Sequence, residues 1–271
     1  MPEGHVIHRL AERLTTTFDD RELEFSSPQG RFSTEASRLD GHRIALAEAW
    51  GKQLFIDVEH DHPEHIIHIH LGLIGGLGFT PYAAPTGQVR LRITDRITAA
   101  DLRGPQWCRL ITDAERDAAV AKLGADPLRP DADPDPIWTR VHRSGKSIGA
   151  LMMDQKLFAG VGNIYRAEVL FRLGLDPRTP GRALDRSDFD DIWDDLVTLM
   201  ADGVRAGRID TVRPEHTPEA MHREPREDDH GGEVYVYRRA AQPCHICTTP
   251  VETTVLEGRN LFWCPRCQSG N

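Results

Sequence analysis

The chain has 271 residues, of which 39% are hydrophobic, and its formal net charge at neutral pH is -9. This length accommodates one large core or two modest ones, and we expect two domains. No apolar run approaches the roughly 18 to 20 residues that span a bilayer, and charges begin at Glu3, where a secretory signal would be apolar. We therefore expect a soluble, cytoplasmic protein. The negative net charge disfavours a uniformly basic surface that binds nucleic acid, but it allows a local basic binding site.

The N-terminal segment combines a helix start with a reactive amine. Its apolar residues recur at helical spacing: Val6, Ile7, Leu10 and Leu14. A Met-Pro start normally loses its methionine, which leaves the secondary amine of Pro2 at the positive end of the helix dipole, where the neutral amine is favoured. Such an amine condenses with an aldehyde to an iminium, and the carboxyl of Glu3 in the same turn can exchange protons. The alternative is that both are ordinary helix-start residues.

From about residue 54 to 109, apolar and polar side chains alternate with a period of two. The clearest runs are 54–58, 67–71 and 89–93, separated by turns that contain glycine or proline. We expect a β-sandwich or flattened barrel, with the opening helix packed at one end. Lys52, one of only four lysines, is placed on a strand of this sheet. Taken alone, Lys52 is either functional or an ordinary solvated lysine, and His70 is equally open.

The second half of the chain changes to helical patterns. Segment 124–136 has four prolines and no periodicity, which predicts a hinge. Helices are expected over 148–158, 164–173 and, with a strongly acidic outer face, 185–202. Residues 209–233 are aperiodic and predict a mobile loop, long enough to contact a substrate. The expected divisions are a catalytic domain over 1–123, a linker over 124–136, a helical domain with the loop over 137–232, and a zinc finger over 233–271.

Four of the five cysteines form two CxxC pairs near the C-terminus. They are Cys244, Cys247, Cys264 and Cys267. This spacing is typical of a zinc site, and four thiolates close the tetrahedron, so we expect one structural Zn2+ ion. A redox dithiol is the alternative. Cys108 stands alone and is interpreted as a small buried hydrophobe.

Two polar residues stand near predicted element ends in this half. Arg259 follows Gly258 between strand-like runs at 251–256 and 261–263, so we expect it at the tip of a hairpin that the metal fixes. Asn163 follows a Gly-Val-Gly break and precedes a helix, which predicts an N-cap with backbone N–H groups suited to a phosphate. The alternatives are a solvated arginine and an ordinary helix cap.

Together these segments resemble the bacterial formamidopyrimidine-DNA glycosylase and endonuclease VIII family, almost from end to end. The start MPEG is similar to the endonuclease VIII branch. The further blocks are AWGKQLF, IHLGL, GADPL, LMMDQKLFAGVGNIYRAEVLF and GRNLFWCPRC. The resemblance implies an α+β fold: an N-terminal β-sandwich opened by a catalytic helix, then a helix-two-turn-helix domain with a C-terminal zinc-finger β-hairpin, with DNA bound between the two domains.

The resemblance also implies a bifunctional DNA glycosylase and AP lyase of base excision repair, which removes oxidised bases, chiefly pyrimidines, and cleaves the strand by β,δ-elimination. Pro2 would form the Schiff base and Glu3 would donate a proton. Lys52 would be the β-elimination acid and a phosphate contact, and Arg259 would serve the δ-elimination. The implied partner is double-stranded damaged DNA, with no membrane partner, and we expect a monomer that is nucleoid-associated when bound.

Further DNA contacts are expected from His70, Lys122 and Asn163, and from Leu73 as a wedge in the gap left by an extruded base. The loop Gly72-Leu73-Ile74 lacks the polar and aromatic flanks typical of endonuclease VIII, and segment 101–105 lacks the phenylalanine of the formamidopyrimidine branch. Two alternatives therefore stay open. One is the same fold acting on formamidopyrimidine lesions, other oxidised purines or mainly abasic sites. The other is a non-catalytic zinc-ribbon DNA-binding protein, which would have little reason to keep the four reactive side chains.

Overall fold

The structure is a computed structural model that describes residues 2–227 and 232–269. The chain divides into two compact units, the first ending at Lys122 and the second beginning at Leu123. No helix among the described residues is long and apolar enough to cross a membrane. The start Met1, whose removal the sequence predicts, lies outside the described residues.

The described part of the first unit, residues 2–122, contains three helices and eight strands. The elements are α1 (Gly4–Phe18), β1 (Glu24–Ser26), α2 (Ser33–Leu39), β2 (Ile44–Trp50), β3 (Gln53–Val58), β4 (Ile66–His70), β5 (Gly76–Pro81), β6 (Val89–Thr94), β7 (Thr98–Arg103), β8 (Trp107–Ile111) and α3 (Asp113–Val120). The strands form two antiparallel four-stranded sheets, with orders β1-β6-β7-β5 and β2-β3-β4-β8. This confirms the predicted sandwich.

The core of the first unit is built from the inward faces of both sheets and the apolar stripe of α1. Its fully buried members include Leu14, Ile56, Ile69, Leu91 and Leu102. Because strand side chains alternate with a period of two, each sheet offers one apolar face to this core, and the other face is left for polar groups. Cys108 is buried in the same core, as the sequence predicts, and burial raises the pKa of its thiol to about 12.

The second unit is helical and ends in a β-hairpin. Its elements are α4 (Asp135–Val141), α5 (Ile148–Leu151), α6 (Asn163–Arg172), α7 (Arg186–Ala206), α8 (Pro218–Met221), β9 (Glu252–Leu256) and β10 (Arg259–Trp263). The apolar stripe of α7 packs against α6, and both contribute fully buried residues to one core. Asp185 caps α7 with a capping box, and the left-handed Gly207 ends it.

Two expectations for this half are wrong in detail. The helix predicted over 148–158 covers only Ile148–Leu151, because a turn in which Asp154 accepts from the Lys156 N–H replaces the next helical bonds. The predicted linker 124–136 is not a free connector. The Gly124 N–H donates to the Gln155 carbonyl, and Ala125 accepts from the Ala159 N–H, so the segment is part of the second unit.

The segment predicted as a loop over 209–233 contains a 3₁₀ turn at Pro214–His216 and the single turn α8. Its two ends are joined, since the Thr211 N–H donates to the Glu233 carbonyl and the Glu233 N–H donates to the Asp210 carboxylate. Residues 228–231 lie outside the described residues.

Candidate active site and zinc centre

The N-terminus positions a buried acid directly before the first helix. α1 begins at Gly4, so Glu3 is its N-cap residue and Pro2 precedes the helix. The helix therefore starts one to two residues later than the sequence predicts. Glu3 is only 1% exposed, whereas Pro2 is half-buried. An ordinary first-turn glutamate extends into solvent, because burial of a carboxyl group is costly. The burial of Glu3 therefore favours a functional over a helix-start interpretation.

Lys52 lies in a tight turn and not on a strand. Gly51 and Lys52 connect β2 to β3, and Gly51 adopts the left-handed backbone region with a φ of 59°. The next residue, Gln53, pairs with His70 on β4. The cation therefore stands at the same end of the sheet as His70, whose pKa is lowered by burial and, secondarily, by the charge of Lys52.

His70 belongs to an aromatic cluster on the face of this sheet. Its ring stacks on Trp107 at a centroid distance of 4.5 Å, and its Nδ1 accepts from the Gly72 N–H at 3.1 Å. His68 lies two residues earlier and contacts Gln53 Oε1 through Nε2 at 2.7 Å, while burial lowers its pKa to about 4. His68 and Trp107 were not predicted as site residues, although the period of two already places His68 on the same face of the strand as His70.

The loop after β4 presents two apolar side chains. Leu73 is 62% exposed and Ile74 is 89% exposed. The loop backbone is held closely, because the Gly75 N–H donates to the Leu71 carbonyl and a Cβ on Gly75 would approach the Gly104 carbonyl to 2.9 Å. Exposed apolar side chains on a fixed loop suit insertion between bases. Ile74 was not among the predicted contacts. Lys122 is exposed and follows α3.

In the second unit, Asn163 is the first residue of α6, and Gly162 occupies the N-cap position. The predicted side-chain cap is therefore wrong by one residue. The Asn163 Nδ2 donates instead to the backbone carbonyl of Asn260 on β10, at 2.9 Å. This bond connects the start of α6 to the hairpin, next to Arg259.

Arg259 opens β10 and is exposed. It pairs with Leu256 across a two-residue turn in which Glu257 and Gly258 have φ values of 49° and 71°. Positive φ at both positions matches the twist of a tight hairpin, and glycine accepts it without strain. Arg259 therefore stands beside the tip, one residue beyond the turn itself.

The four predicted metal ligands converge below the hairpin. Their Sγ atoms all lie within 4.8 Å of one another, with 3.9 Å between Cys244 and Cys267 and 3.4 Å between Cys247 and Cys264. A tetrahedron with Zn–S bonds of about 2.3 Å requires sulfur atoms roughly 3.8 Å apart, so the residues fit a zinc ion. Backbone N–H groups of Ile246 and Cys267 point to sulfur, which suits thiolates. Four protein ligands leave no position for a reactive water, so this ion is structural.

Known proteins match the whole length of the chain. The formamidopyrimidine-DNA glycosylase N-terminal domain matches residues 1–107, the formamidopyrimidine-DNA glycosylase H2TH domain matches 123–214, and a zinc finger found in FPG and IleRS matches 241–270. The protein called endonuclease 8 1 of Mycobacterium bovis is 47% identical, covering 99% of this chain and 100% of its own. A formamidopyrimidine-DNA glycosylase of Synechococcus is 32% identical over 80% of this chain and 79% of its own.

Solved structures agree with the fold. MutM (Fpg) of Thermus thermophilus has a TM-score of 0.75 and 25% identity, with complete coverage of both chains. A Lactococcus lactis Fpg variant in complex with Fapy-dG-containing DNA has a TM-score of 0.79 and 20% identity, covering 98% of this chain and 99% of its own. The second likeness shows the shared fold alone.

A buried acid at the start of the first helix, a sandwich, an H2TH domain and a four-cysteine hairpin define a DNA glycosylase with AP lyase activity, an enzyme of base excision repair. Such an enzyme binds DNA and carries one structural zinc. The chain belongs to the formamidopyrimidine-DNA glycosylase and endonuclease VIII family, and endonuclease 8 1 from mycobacteria is among its full-length relatives.

Proposed function

We propose that this enzyme removes oxidised pyrimidines from double-stranded DNA through a Schiff base on Pro2 and then cleaves the strand by β,δ-elimination. The observation that carries the proposal is the near-complete burial of Glu3 directly beside Pro2 at the start of α1. This pair supplies a nucleophilic amine and a proton donor at one point of the chain. The positive end of the α1 dipole favours the unprotonated amine.

The reaction starts when Glu3 donates a proton to O4′, the C1′–O4′ bond of the damaged nucleotide breaks, and the Pro2 nitrogen forms a bond to C1′. The Pro2 nitrogen then loses its own proton to the base. The glycosidic bond breaks, the base leaves with the bonding electron pair, and a cationic iminium remains. The iminium acidifies the protons on C2′, because it can accept the electrons of the broken C–H bond.

Two eliminations follow from this iminium. Water takes a C2′ proton, the electrons of that C–H bond form a C2′–C3′ double bond, and the C3′–O bond breaks with release of the 3′ phosphate. We assign Lys52 to this step, as acid and as phosphate contact. Water then takes the C4′ proton, a C4′–C5′ double bond forms, and the C5′–O bond breaks with release of the 5′ phosphate, a step that we assign to Arg259. Cations beside departing phosphates stabilise the charge that develops there. Water finally hydrolyses the iminium and restores the Pro2 amine.

We assign the remaining contacts to DNA binding. His70 and Lys122 would contact the backbone of the DNA, and Asn163 can offer a phosphate its second amide hydrogen, because a side-chain amide carries two and the bond to Asn260 uses one. Leu73, with its exposed neighbour Ile74, would fill the space of the flipped base. We further propose that the enzyme acts as a monomer on DNA of the nucleoid.

The lesion class rests on the full-length relative named endonuclease 8. Relatives named formamidopyrimidine-DNA glycosylase support a second candidate, action on formamidopyrimidine lesions. A panel of duplexes containing thymine glycol, 5-hydroxycytosine, Fapy-guanine, 8-oxoguanine or a bare abasic site separates the candidates. The pyrimidine proposal expects the highest kcat/KM for the first two, and preference for either purine lesion or for the abasic site alone would contradict it.

Borohydride trapping tests the nucleophile. The enzyme is incubated with an abasic duplex and sodium borohydride, and the covalent adduct is digested and mapped by mass spectrometry. We expect the adduct on the N-terminal peptide that begins with Pro2. An adduct that maps to Lys52 or another lysine would refute the assignment.

Glu3→Gln provides the matched variant for the acid. It keeps the size of the side chain but cannot donate an acidic proton. We expect base release to fall by at least 100-fold, since a general acid typically contributes 10²- to 10⁴-fold. Trapping at a pre-formed abasic site should survive in part. Equal loss with both substrates would show that Glu3 only supports the fold.

A further inference from the structure

A fully buried arginine lies one turn inside α6, and none of the steps above uses it. Arg166 is 0% exposed and follows Asn163 by three residues. Its Nη2 donates to the Asn260 carbonyl at 3.0 Å and to the Asn163 Oδ1, and its Nη1 donates to the Gly149 carbonyl at 3.3 Å. A single guanidinium therefore contacts α5, α6 and β10.

Two side chains of α6 meet at one backbone atom of the zinc hairpin. Asn163 Nδ2 and Arg166 Nη2 both donate to the Asn260 carbonyl oxygen, at 2.9 and 3.0 Å. Asn260 directly follows Arg259 in β10. The position of the Arg259 backbone is therefore fixed from α6 by two hydrogen bonds at the neighbouring residue.

The guanidinium also determines how the Asn163 amide is oriented. Arginine has five N–H donors and no acceptor, so the Asn163 atom that faces it must be the oxygen. The amide nitrogen is then directed at the Asn260 carbonyl, which only accepts. A neutral or shorter side chain at position 166 would remove this constraint and allow the amide to rotate.

Burial of a guanidinium is costly, and an apolar side chain of similar volume is often as stable. A buried, hydrogen-bonded guanidinium chiefly supplies a defined geometry, because its N–H donors form a rigid planar fork. That geometry joins Asn163 and the residue next to Arg259. These are the phosphate contact and the δ-elimination residue of the proposed function.

We propose that Arg166 is a positioning residue that fixes Asn163 and Arg259 relative to each other, so that the phosphate contact and the δ-elimination act on the same nucleotide. This inference rests on the roles given to Asn163 and Arg259 in the proposed function. The role assigned to Arg166 is indirect, because its side chain is fully buried. It acts through the carbonyl of Asn260 and the amide of Asn163.

The test compares Arg166→Met and Arg166→Lys with Arg172→Met and Arg259→Ala in the zinc-loaded full-length enzyme. Arg172 lies on the same helix, where it binds both Asp195 oxygens and the Thr211 carbonyl, so its loss disturbs the same unit away from the hairpin. Each variant is given an abasic duplex labelled at its 5′ end. The ratio of δ- to β-elimination products, the yield of the borohydride adduct and the zinc content are measured.

We expect Arg166→Met to lower the ratio of δ to β products by at least 10-fold, with adduct yield within 2-fold of wild type and one zinc per chain. Arg166→Lys keeps the charge but not the fork, so we expect a smaller loss of the same kind, and this variant carries the test if the methionine variant does not fold. Arg172→Met should leave the ratio unchanged.

The outcomes separate the two proposals. If Arg259→Ala leaves the ratio at the wild-type value, the role of Arg259 in the proposed function is wrong, and the positioning role is lost with it. If Arg259→Ala lowers the ratio but the folded Arg166 variants do not, the positioning inference alone is wrong. An equal fall in Arg172→Met would also overturn it, because general destabilisation would then explain the effect.

Discussion

Glu168 is a buried carboxylate that should dominate the stability of the second unit. It is 0% exposed and accepts four hydrogen bonds. One oxygen accepts from the backbone N–H groups of Val236 and Tyr237, at 2.9 and 2.8 Å. The other accepts from the Tyr235 N–H at 2.7 Å and from the Thr211 hydroxyl at 2.6 Å. One α6 side chain thereby holds the segment that leads into the zinc finger.

The substitution Glu168→Gln replaces one accepting oxygen with a donating NH₂ group. If the NH₂ group faces Val236 and Tyr237, two amide bonds are lost. If it faces Thr211, the hydroxyl can turn to the Glu233 carbonyl, which lies 3.3 Å away, and only the Tyr235 bond is lost. A hydrogen bond to a charged group contributes about 1.5 to 3 kcal/mol, and an unpaired buried donor costs about 1 to 3 kcal/mol. The cheaper arrangement therefore costs about 2.5 to 6 kcal/mol.

Urea unfolding, followed by far-ultraviolet circular dichroism, measures this cost as a change in the free energy of unfolding. The matched control is Asp191→Asn, which removes one carboxylate charge from an exposed position on α7. The control should stay within about 0.5 kcal/mol of wild type. A Glu168→Gln protein that also stays within about 1 kcal/mol would refute the view that this carboxylate organises the segment.

Three further outcomes are expected. Burial lowers the pKa of His68 in the folded protein from 6.5 to about 4, so between these values the unfolded chain binds a proton that the folded protein does not. The free energy of unfolding should therefore fall as the pH falls from 6.5 towards 4, by up to about 1.4 kcal/mol per pH unit. In urea unfolding between pH 7 and pH 5, His68→Gln should show a shallower fall, and an unchanged pH dependence would contradict a buried neutral ring. Removal of zinc by a chelator, or Cys247→Ser, should unfold the β9–β10 hairpin and abolish tight DNA binding. Zinc analysis measures the metal content, and a mobility-shift titration measures the affinity for DNA. Unchanged affinity for DNA without the metal would show that the ion is dispensable. Leu73→Ala should leave the free energy of unfolding within about 0.5 kcal/mol of wild type, because the side chain is exposed. It should nevertheless lower the rate of base release from duplex DNA by roughly 10-fold, with little effect on cleavage of a single-stranded abasic site. Equal rates of base release for the variant and the wild type on duplex DNA would exclude Leu73 as a wedge.

Local patterns in the sequence were sufficient for much of this protein. The period of two predicted the strands that became β3, β4 and β6, and the CxxC spacing predicted four ligands that converge in the structure. The joint order of the motifs predicted the family, which the comparisons confirm. These features were predictable because strand alternation and metal-ligand spacing are each set by residues close in sequence. The roles of Pro2, Lys52 and Arg259 remain proposals.

Other positions were predicted incorrectly because local signals compete. Asn163 is a good helix cap by type, yet Gly162 takes the N-cap position, because the Asn163 amide bonds to a carbonyl 97 residues away. Lys52 was placed on a strand because its neighbours alternate, although the flexibility of Gly51 allows the tight turn that contains it. Neither outcome is decided by the residues on either side alone.

The sequence by itself therefore determined the class of enzyme, the zinc ligands and the apolar face of each long element, because these depend on residue type and short-range spacing. Only the tertiary structure showed that Glu3 is buried, that His68, His70 and Trp107 share one cluster, and that Arg166 meets Asn163 at the Asn260 carbonyl. These facts depend on contacts between residues far apart in the chain. Burial and hydrogen-bond partners are properties of the packed fold, and no local pattern encodes them.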